Sequence, residues 1–292
     1  MATSPIIRGA TKIRTSLGAD ALKEIPMPRT THSSRGKLIY ALTDFGEGSD
    51  EHVYKVKGIG DTPVYSISTG DVTAVVSDIH SPKVRPERRN LMAHRAVLAH
   101  LLTLGSVLPM RFGVVAANAD AVRALLGANR EAIAEQLHRV RDRIEMGLRV
   151  SWDVANIYEY FVGMHPLLRE ARDRLLAQGD NAARDEKIEV GRLFDRLVNE
   201  AREQYTEQVT EVMRNYCEEV TASPIKKDKE VMNLACLIER NAQSDFERGV
   251  FEASKLFNND YLFDYNGPWA PHNFVDLDLV TPDTGEGVGQ TG

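Results

Sequence analysis

The residues that most often carry catalysis or metal binding are sparse in this sequence, and their spacing does not favour a site. Among the eight histidines, His94 and His100 lie six residues apart on a predicted helix. Side chains at that spacing point about 120° away from each other around the helix axis. Neither the metal motif HExxH nor a CxxC pair occurs. We therefore predict no metal site and no catalytic residue.

Two short features share a residue pattern with chemical sites but lack the context that such sites need. GIGDTP at 58–63 contains Gly-x-Gly. It precedes a predicted strand, whereas a phosphate-binding loop joins a strand to a helix. Cys217 and Cys236 fall in a predicted helix and a predicted buried strand, where free cysteines usually pack as small hydrophobic residues. The sequence therefore predicts no cofactor.

The bulk composition is that of a soluble globular protein. The chain has 292 residues, of which 42% are hydrophobic and 27% charged, and this length favours two domains. Its 36 basic and 42 acidic residues give a net charge of -6, which disfavours general nucleic-acid binding. No segment approaches the ~20 apolar residues of a membrane-spanning helix. With only two cysteines, we predict a reduced, cytoplasmic protein with no disulfide framework.

The elements up to residue 146 predict an N-terminal α+β domain. Residues 1–35, rich in Ser, Thr, Pro and Arg, predict a disordered tail. Apolar and β-branched runs predict strands at 37–43, 63–69, 72–79 and 106–116. Helical periodicity follows Pro86 as far as Gly105, and again from Asn118 to Gly147, where Gly127 is a candidate interruption. Residues 36–146 are therefore predicted to form a mixed β-sheet with helices.

Residues 147–279 predict a second domain with the order β-α-α-β-β-α-β. This is a split βαβ, or ferredoxin-like, arrangement with extra helical sequence, and the last residues, 280–292, predict a disordered tail. One long helix is predicted over 184–220. At 1.5 Å per residue it would extend about 50 Å, longer than a small domain is wide. Either a kink near Gly191 shortens it, or part of it reaches the first domain or a partner.

Arg111 stands inside the predicted apolar strand at 106–116. A buried charge needs a partner, so one interpretation is an ion pair or carbonyl contact that fixes sheet and helix. The other interpretation is a contact with an anion or with a carboxylate of a binding partner. Gly113, close by, is a candidate for a bulge or a close backbone approach.

The stretch NGPWAPHNFVDLDL at 266–279 combines prolines, a tryptophan and an alternating apolar run. Pro268 and Pro271 argue against a central strand, because proline donates no ladder hydrogen bond. We predict the last strand of the second sheet over 261–279, with a bend or an extended crossing at the prolines before it pairs from Phe274 to Leu279. Trp269 either packs over the sheet corner or forms a partner surface, since aromatic residues dominate cores and interfaces alike.

Two blocks of the sequence resemble a known family. GPWAPHNFVDLDL at 267–279 resembles the C-terminal signature of the gas vesicle GvpL/GvpF family, and VLPMRFGVV at 107–115 resembles its other recognisable block. The resemblance implies an α+β N-terminal domain and a ferredoxin-like C-terminal domain. It also implies a minor structural or accessory protein of gas vesicle assembly, which gives cells buoyancy. Its implied partners are the main shell protein and other minor vesicle proteins, and no enzymatic activity is implied.

Four residues are predicted to contact partners: Arg111, Trp269, Pro271 and Phe274. The predicted location is the gas vesicle inside the cell, without nucleic acid or membrane, and self-association stays open. A different class of protein also stays open, namely a small-molecule-binding or enzymatic ferredoxin-like protein. A deep pocket lined by Arg111, His80 or Asp78 would favour that alternative.

Overall fold

The computed structural model describes residues 36–45, 52–179 and 183–280. The predicted N-terminal tail, and the predicted C-terminal tail beyond Val280, lie outside the described residues. The strands are β1 Gly36–Thr43, β2 Val53–Lys57, β3 Pro63–Thr69, β4 Val72–Ile79, β5 Leu108–Pro109, β6 Val115–Ala116, β7 Arg143–Trp152, β8 Glu219–Ala222, β9 Glu230–Glu239 and β10 Tyr261–Trp269. The helices are α1 Arg88–Leu102, α2 Ala119–Ala128, α3 Arg130–Arg139, α4 Ile157–Met164, α5 Pro166–Gln178, α6 Arg184–Met213 and α7 Gln243–Ser254.

The first sheet, sheet A, has the order β2-β3-β4-β1-β5, and β6 also pairs with β1. Strands β3 and β4 form a hairpin in which Thr69 faces Val72. Gly70 and Asp71, the two residues left between the strands predicted at 63–69 and 72–79, form the turn. Gly70 has a φ of 64°, a left-handed conformation that glycine adopts without steric cost.

The single strand predicted over 106–116 is wrong. Only β5 and β6, two residues each, pair with β1 there, near Leu42 and near Leu38 respectively. Two features explain the interruption. Pro109 has no N–H to continue the ladder, and Gly113 turns the chain at a φ of 88°.

The second sheet, sheet B, is fully antiparallel and has the order β10-β7-β9-β8. Helices α4, α5 and α6 connect β7 to β8, and α7 connects β9 to β10. The helix predicted from Asn118 to Gly147 is wrong in part. It divides into α2 and α3 at Asn129, and the residues from Arg143 onward already belong to β7.

Helix α6 is continuous over its 30 residues, so the alternative of a kink near Gly191 is wrong. It ends at Met213, seven residues before the predicted end at Val220 (220 − 213 = 7). Its first turns are exposed, whereas Val198, Val209 and Met213 are buried in the main core. The helix thus lies against sheet B with its carboxyl-terminal part.

Two hydrophobic cores hold the fold together. The main core joins one face of each sheet, for example Leu38 and Val75 of sheet A with Leu148 and Val150 of sheet B. The second core lies on the other face of sheet A, where helices α2 and α3 cover it through Val122, Leu126, Ile133 and Leu137. The division into two domains near residue 146 stays a prediction.

Candidate partner-binding surface

The C-terminal segment holds three of the four predicted contact residues, and its strand begins at Tyr261 as predicted but ends earlier than predicted. Strand β10 ends at Trp269, and the strand predicted from Phe274 to Leu279 is wrong, because residues 270–280 form no ladder. Pro268 stands within β10 at the edge of sheet B, where a missing N–H is tolerated. The pairing with β7 is irregular between Asn266 and Trp269. Gly267 fits closely there, since a Cβ on it would lie 2.6 Å from the Met146 sulfur.

Trp269 is half-buried and held from two sides. Its indole N–H donates to the Asn266 side-chain oxygen at 2.7 Å. The guanidinium carbon of Arg95, on α1, lies 3.7 Å from the centre of its ring. This is a close cation–π contact, and it orders both side chains.

Sequence reasoning missed Arg95 as the partner of Trp269. The two residues are far apart along the chain, and no local pattern joins them. The available signal was the exposed stripe of α1, on which Arg88 and Arg95 are spaced by two helical turns. The spacing on that stripe indicates an exposed helix face, but it does not predict that Trp269 lies beside it.

Helix α1 also contacts the other signature block, residues 107–115. The ring of His94 lies 5.3 Å from that of Tyr40 and 5.5 Å from that of Phe112. His94 is only 6% exposed. Burial lowers its pKa to about 4, the positive charge of His272 adds to this, and a hydrogen bond with the Met110 backbone opposes it. Both signature blocks therefore meet at one helix.

Arg111 does not lie in a buried strand, so the predicted internal ion pair is wrong. It is exposed in the loop between β5 and β6, because that loop leaves the sheet after Pro109. The loop lies beside the segment before α1, since a Cβ on Gly113 would be 3.9 Å from the Val84 carbonyl oxygen. A contact between Arg111 and a partner carboxylate stays a prediction.

Five exposed basic residues form what we call the basic surface: Lys83, Arg85, Arg88, Arg95 and Arg111. Within the described part of the chain, none of them makes an ion pair with a carboxylate. Arg89, next to them, does pair with Glu87 at 2.9 Å. Arg130 likewise pairs with Asp71 at 2.7 Å. The charges of the basic surface are thus not neutralised by ion pairs with described carboxylates, and the guanidinium of Arg95 stacks on Trp269 instead.

The residues after Trp269 form a strap, residues 270–280, which Asn273 anchors to sheet B. Its backbone N–H and its side-chain amide donate to the two carboxylate oxygens of Glu145, at 2.9 and 2.7 Å. Glu145 is 7% exposed. Burial raises its pKa, and the two hydrogen bonds from Asn273 partly offset that effect. The strap therefore satisfies a buried carboxylate.

Most apolar side chains of the strap are structural. Phe274 is 4% exposed and packs on Ala235 and Leu237 of β9. Val275, Leu277 and Leu279 pack against the second core, beneath α2 and α3. The backbone of Val280 exchanges two hydrogen bonds of 2.8 Å with the Asn129 side chain. Pro271 is also buried. Contacts of Pro271 and Phe274 with partners stay predictions, and their burial favours a structural role.

The residues proposed for a pocket in the alternative class are engaged elsewhere or exposed. Asp78 accepts hydrogen bonds from Lys37 at 2.6 Å and from the Tyr65 hydroxyl at 2.7 Å, while His80 is exposed. Two open clefts in the structure, beside α6 and beside Asp142, include neither Arg111 nor these residues. Among the described residues, no cluster of His, Cys, Asp and Glu that could hold a metal ion occurs. The helices in this part of the chain include none that is long and apolar enough to cross a membrane.

Comparison with known proteins gives consistent matches. The family model described as "Gas vesicle synthesis protein GvpL/GvpF" matches residues 36–276. Gas vesicle protein F of Streptomyces sp. (strain CB03234) is 30% identical over 224 residues, which cover 76% of this chain and 92% of that protein. Gas vesicle protein F of Nostoc sp. (strain PCC 7120) is 25% identical over 247 residues, covering 84% and 99% respectively.

Two solved structures share the fold. The crystal structure of GvpF from Anabaena sp. PCC7120 superimposes with a TM-score of 0.67 at 22% identity, covering 84% of this chain and 98% of that one. GvpF from Microcystis aeruginosa gives a TM-score of 0.67 at 23% identity, covering 83% and 99%. At this identity the likeness concerns the fold, and it confirms the predicted α+β class.

Proposed function

The chain belongs to the GvpL/GvpF family of gas vesicle synthesis proteins, and on this premise we propose that it is a non-catalytic component of gas vesicle assembly. It binds the main shell protein and other minor vesicle proteins, resides with the gas vesicle inside the cell, and thereby contributes to buoyancy. Its partners are proteins rather than nucleic acid or membrane lipid.

The proposed architecture is two α+β domains that meet at the main core. The second is ferredoxin-like: the strand order β10-β7-β9-β8, with helices after the first and third strands in sequence, supports a split βαβ unit. Helices α4 and α5 are additions before the long helix. In this arrangement the domains act as a rigid frame on which binding surfaces are fixed.

The observation that carries the proposal is the stack of Arg95 on Trp269. Trp and Arg are the residues that most often dominate protein–protein binding energy, and here they are held in place at 3.7 Å. A side chain that is already ordered loses little entropy when a partner docks. The stack also lies where the two family signature blocks meet.

The proposal is tested with purified protein and the purified main shell protein, and with vesicle formation in a strain that lacks the gene. We expect Trp269→Ala to weaken shell-protein binding at least about tenfold, since truncating a central aromatic residue often costs 2 kcal/mol or more. The matched control is Phe251→Ala, because Phe251 on α7 is exposed and carries Lys255 over its ring at 4.8 Å.

The control variant should bind like the wild type and should restore vesicles, whereas Trp269→Ala should not. Vesicles that form normally without the gene would contradict a role in assembly. Normal binding by a folded Trp269→Ala variant would leave the assembly role standing and remove Trp269 from it.

A further inference from the structure

We propose that α1 and Trp269 form a docking site for an acidic amphipathic helix of a partner protein, aligned along the exposed face of α1. This inference rests on the proposed function, because it specifies the chemistry of the partner. In this site the basic surface binds carboxylates of the partner. The site also includes two residues, Leu91 and Met92, that lie outside the sequence motifs and the family signature blocks.

The exposed face of α1 mixes apolar and basic side chains at helical spacing. Arg88, Leu91, Met92 and Arg95 follow each other at intervals that place them on one side of the helix. Met92 is 57% exposed and Leu91 is 43% exposed. Both apolar side chains are therefore exposed to solvent between Arg88 and Arg95. Arg95 in turn stacks on Trp269.

The charged side chains on this face make no ion pair among the described residues. A segment that docks here must therefore carry negative charge. Among the described residues, the five cationic side chains of the basic surface make no ion pair, and the carboxylate of Glu87 between them pairs with Arg89 at 2.9 Å, although the whole chain carries a net charge of -6. A partner that buries Leu91 and Met92 also removes water from Arg88 and Arg95. Desolvated charges require opposite charges, so the partner must supply carboxylates beside its own apolar residues.

The spacing favours a helix as the partner element. Arg88 and Arg95 are seven residues apart, which is about 10.5 Å along a helix axis. Two carboxylates seven residues apart on an antiparallel helix have the same separation and would face both arginines. Apolar residues three and four positions from them would then cover Leu91 and Met92. A nucleic-acid backbone would offer phosphates for the arginines but would leave both apolar side chains uncovered.

The test places a photo-crosslinking amino acid at Met92 in the full-length chain produced in vesicle-forming cells. The matched control places it at Phe251, which is equally exposed but belongs to α7. Crosslinked peptides are identified by mass spectrometry. We expect Met92 crosslinks to fall on one helical segment that carries at least two Asp or Glu residues, on a vesicle protein, and the Phe251 position not to label that segment.

Charge variants supply the second readout. Arg88→Glu combined with Arg95→Glu should lower the Met92 crosslink yield at least about tenfold, because two close charge pairs become repulsive. Arg88→Lys combined with Arg95→Lys keeps the charge and should retain most of the yield. Thermal melting of each purified variant checks that it folds.

The outcomes separate this inference from the proposed function. Crosslinks from Met92 to a strand, to a segment without carboxylates or to nucleic acid, or no crosslinks at all, would overturn the acidic-helix site. If the chain still co-purified with vesicles, the assembly role would stand alone. An acidic helix captured on a protein unrelated to vesicles would support the site and contradict the assembly role.

Discussion

Trp269 and Phe274 lie close together on the same segment, yet the structure uses them in opposite ways. Trp269 is half-buried at the protein surface under the guanidinium of Arg95. Phe274 is 4% exposed and fills a small cluster with Ala235 and Leu237. The difference comes from the side chains, far away in the sequence, that pack against each ring. An arginine on α1 holds one ring at the surface, whereas small and apolar residues of β9 enclose the other.

The strap contributes to stability, whereas the surface beside α1 is where we propose that partners bind. The strap has hydrogen bonds at both ends, from Asn273 to Glu145 and between Val280 and Asn129. At the Arg95–Trp269 stack, the Trp269 side chain is held by one hydrogen bond, to Asn266, and its backbone pairs with Glu145 of β7.

Phe274→Ala should cause the largest loss of stability. Truncating a fully buried phenylalanine typically lowers the free energy of unfolding by about 3–5 kcal/mol, because it leaves a cavity. Chemical denaturation of the purified protein measures this loss. The control is Val280→Ala, whose side chain is 67% exposed and whose backbone hydrogen bonds remain. A loss below about 1 kcal/mol for Phe274→Ala would mean that the strap is not part of the core.

His94 should make the α1 region sensitive to acid. Its pKa is lowered from 6.5 to about 4 in the folded state, so the unfolded chain binds the proton first as the pH falls. Stability is therefore complete above about pH 6.5 and is lost towards pH 4, by about 3 kcal/mol at 1.36 kcal/mol per pKa unit.

The measurement is the free energy of unfolding of wild type and His94→Gln between pH 7 and pH 4. The difference between the two proteins should shift by about 3 kcal/mol in favour of the variant as the pH falls. A constant difference across this range would show that His94 does not titrate as its burial requires.

Asn273→Ala should cost about 2 kcal/mol, since one oxygen of the buried Glu145 carboxylate loses its donor. The backbone hydrogen bond from residue 273 remains, so the loss is smaller than for Phe274→Ala. Adding Glu145→Leu should recover part of the loss, because no buried charge is then left unsatisfied. Purely additive losses in a double-mutant cycle would argue against this anchor.

Several features of the fold follow from local sequence alone. The α+β class, the Gly70–Asp71 hairpin and the helix at 88–102 each depend on periodicity and turn residues within a short window. The family resemblance is confirmed by the family model, which matches residues 36–276 and so includes the first block and all but the last three residues of the second. Neither kind of information contains long-range contacts.

The two errors in strand prediction, at 106–116 and at 274–279, have a physical cause in common. The alternation in FVDLDL reports that one side of an extended segment is buried, but it does not report whether the backbone pairs in a ladder. In the strap, the buried side chains pack against the second core. The strap backbone donates hydrogen bonds to two side chains instead of to a strand, namely Asn129 between α2 and α3, and Gln136 in α3. Arg111 was misplaced for a similar reason, since an apolar run includes a loop when proline and glycine interrupt it.

The most direct test of the account compares Trp269→Ala with Phe274→Ala in two assays on the same purified proteins. One assay is the free energy of unfolding and the other is affinity for the main shell protein, at a temperature where both variants are folded. We predict that Trp269→Ala changes stability by less than about 1 kcal/mol and weakens binding at least tenfold, about 1.4 kcal/mol or more. Phe274→Ala should lose about 3–5 kcal/mol of stability and bind within about twofold of the wild type. Full binding by Trp269→Ala, together with lost binding by folded Phe274→Ala, would contradict the claim that Trp269 serves binding and Phe274 serves stability.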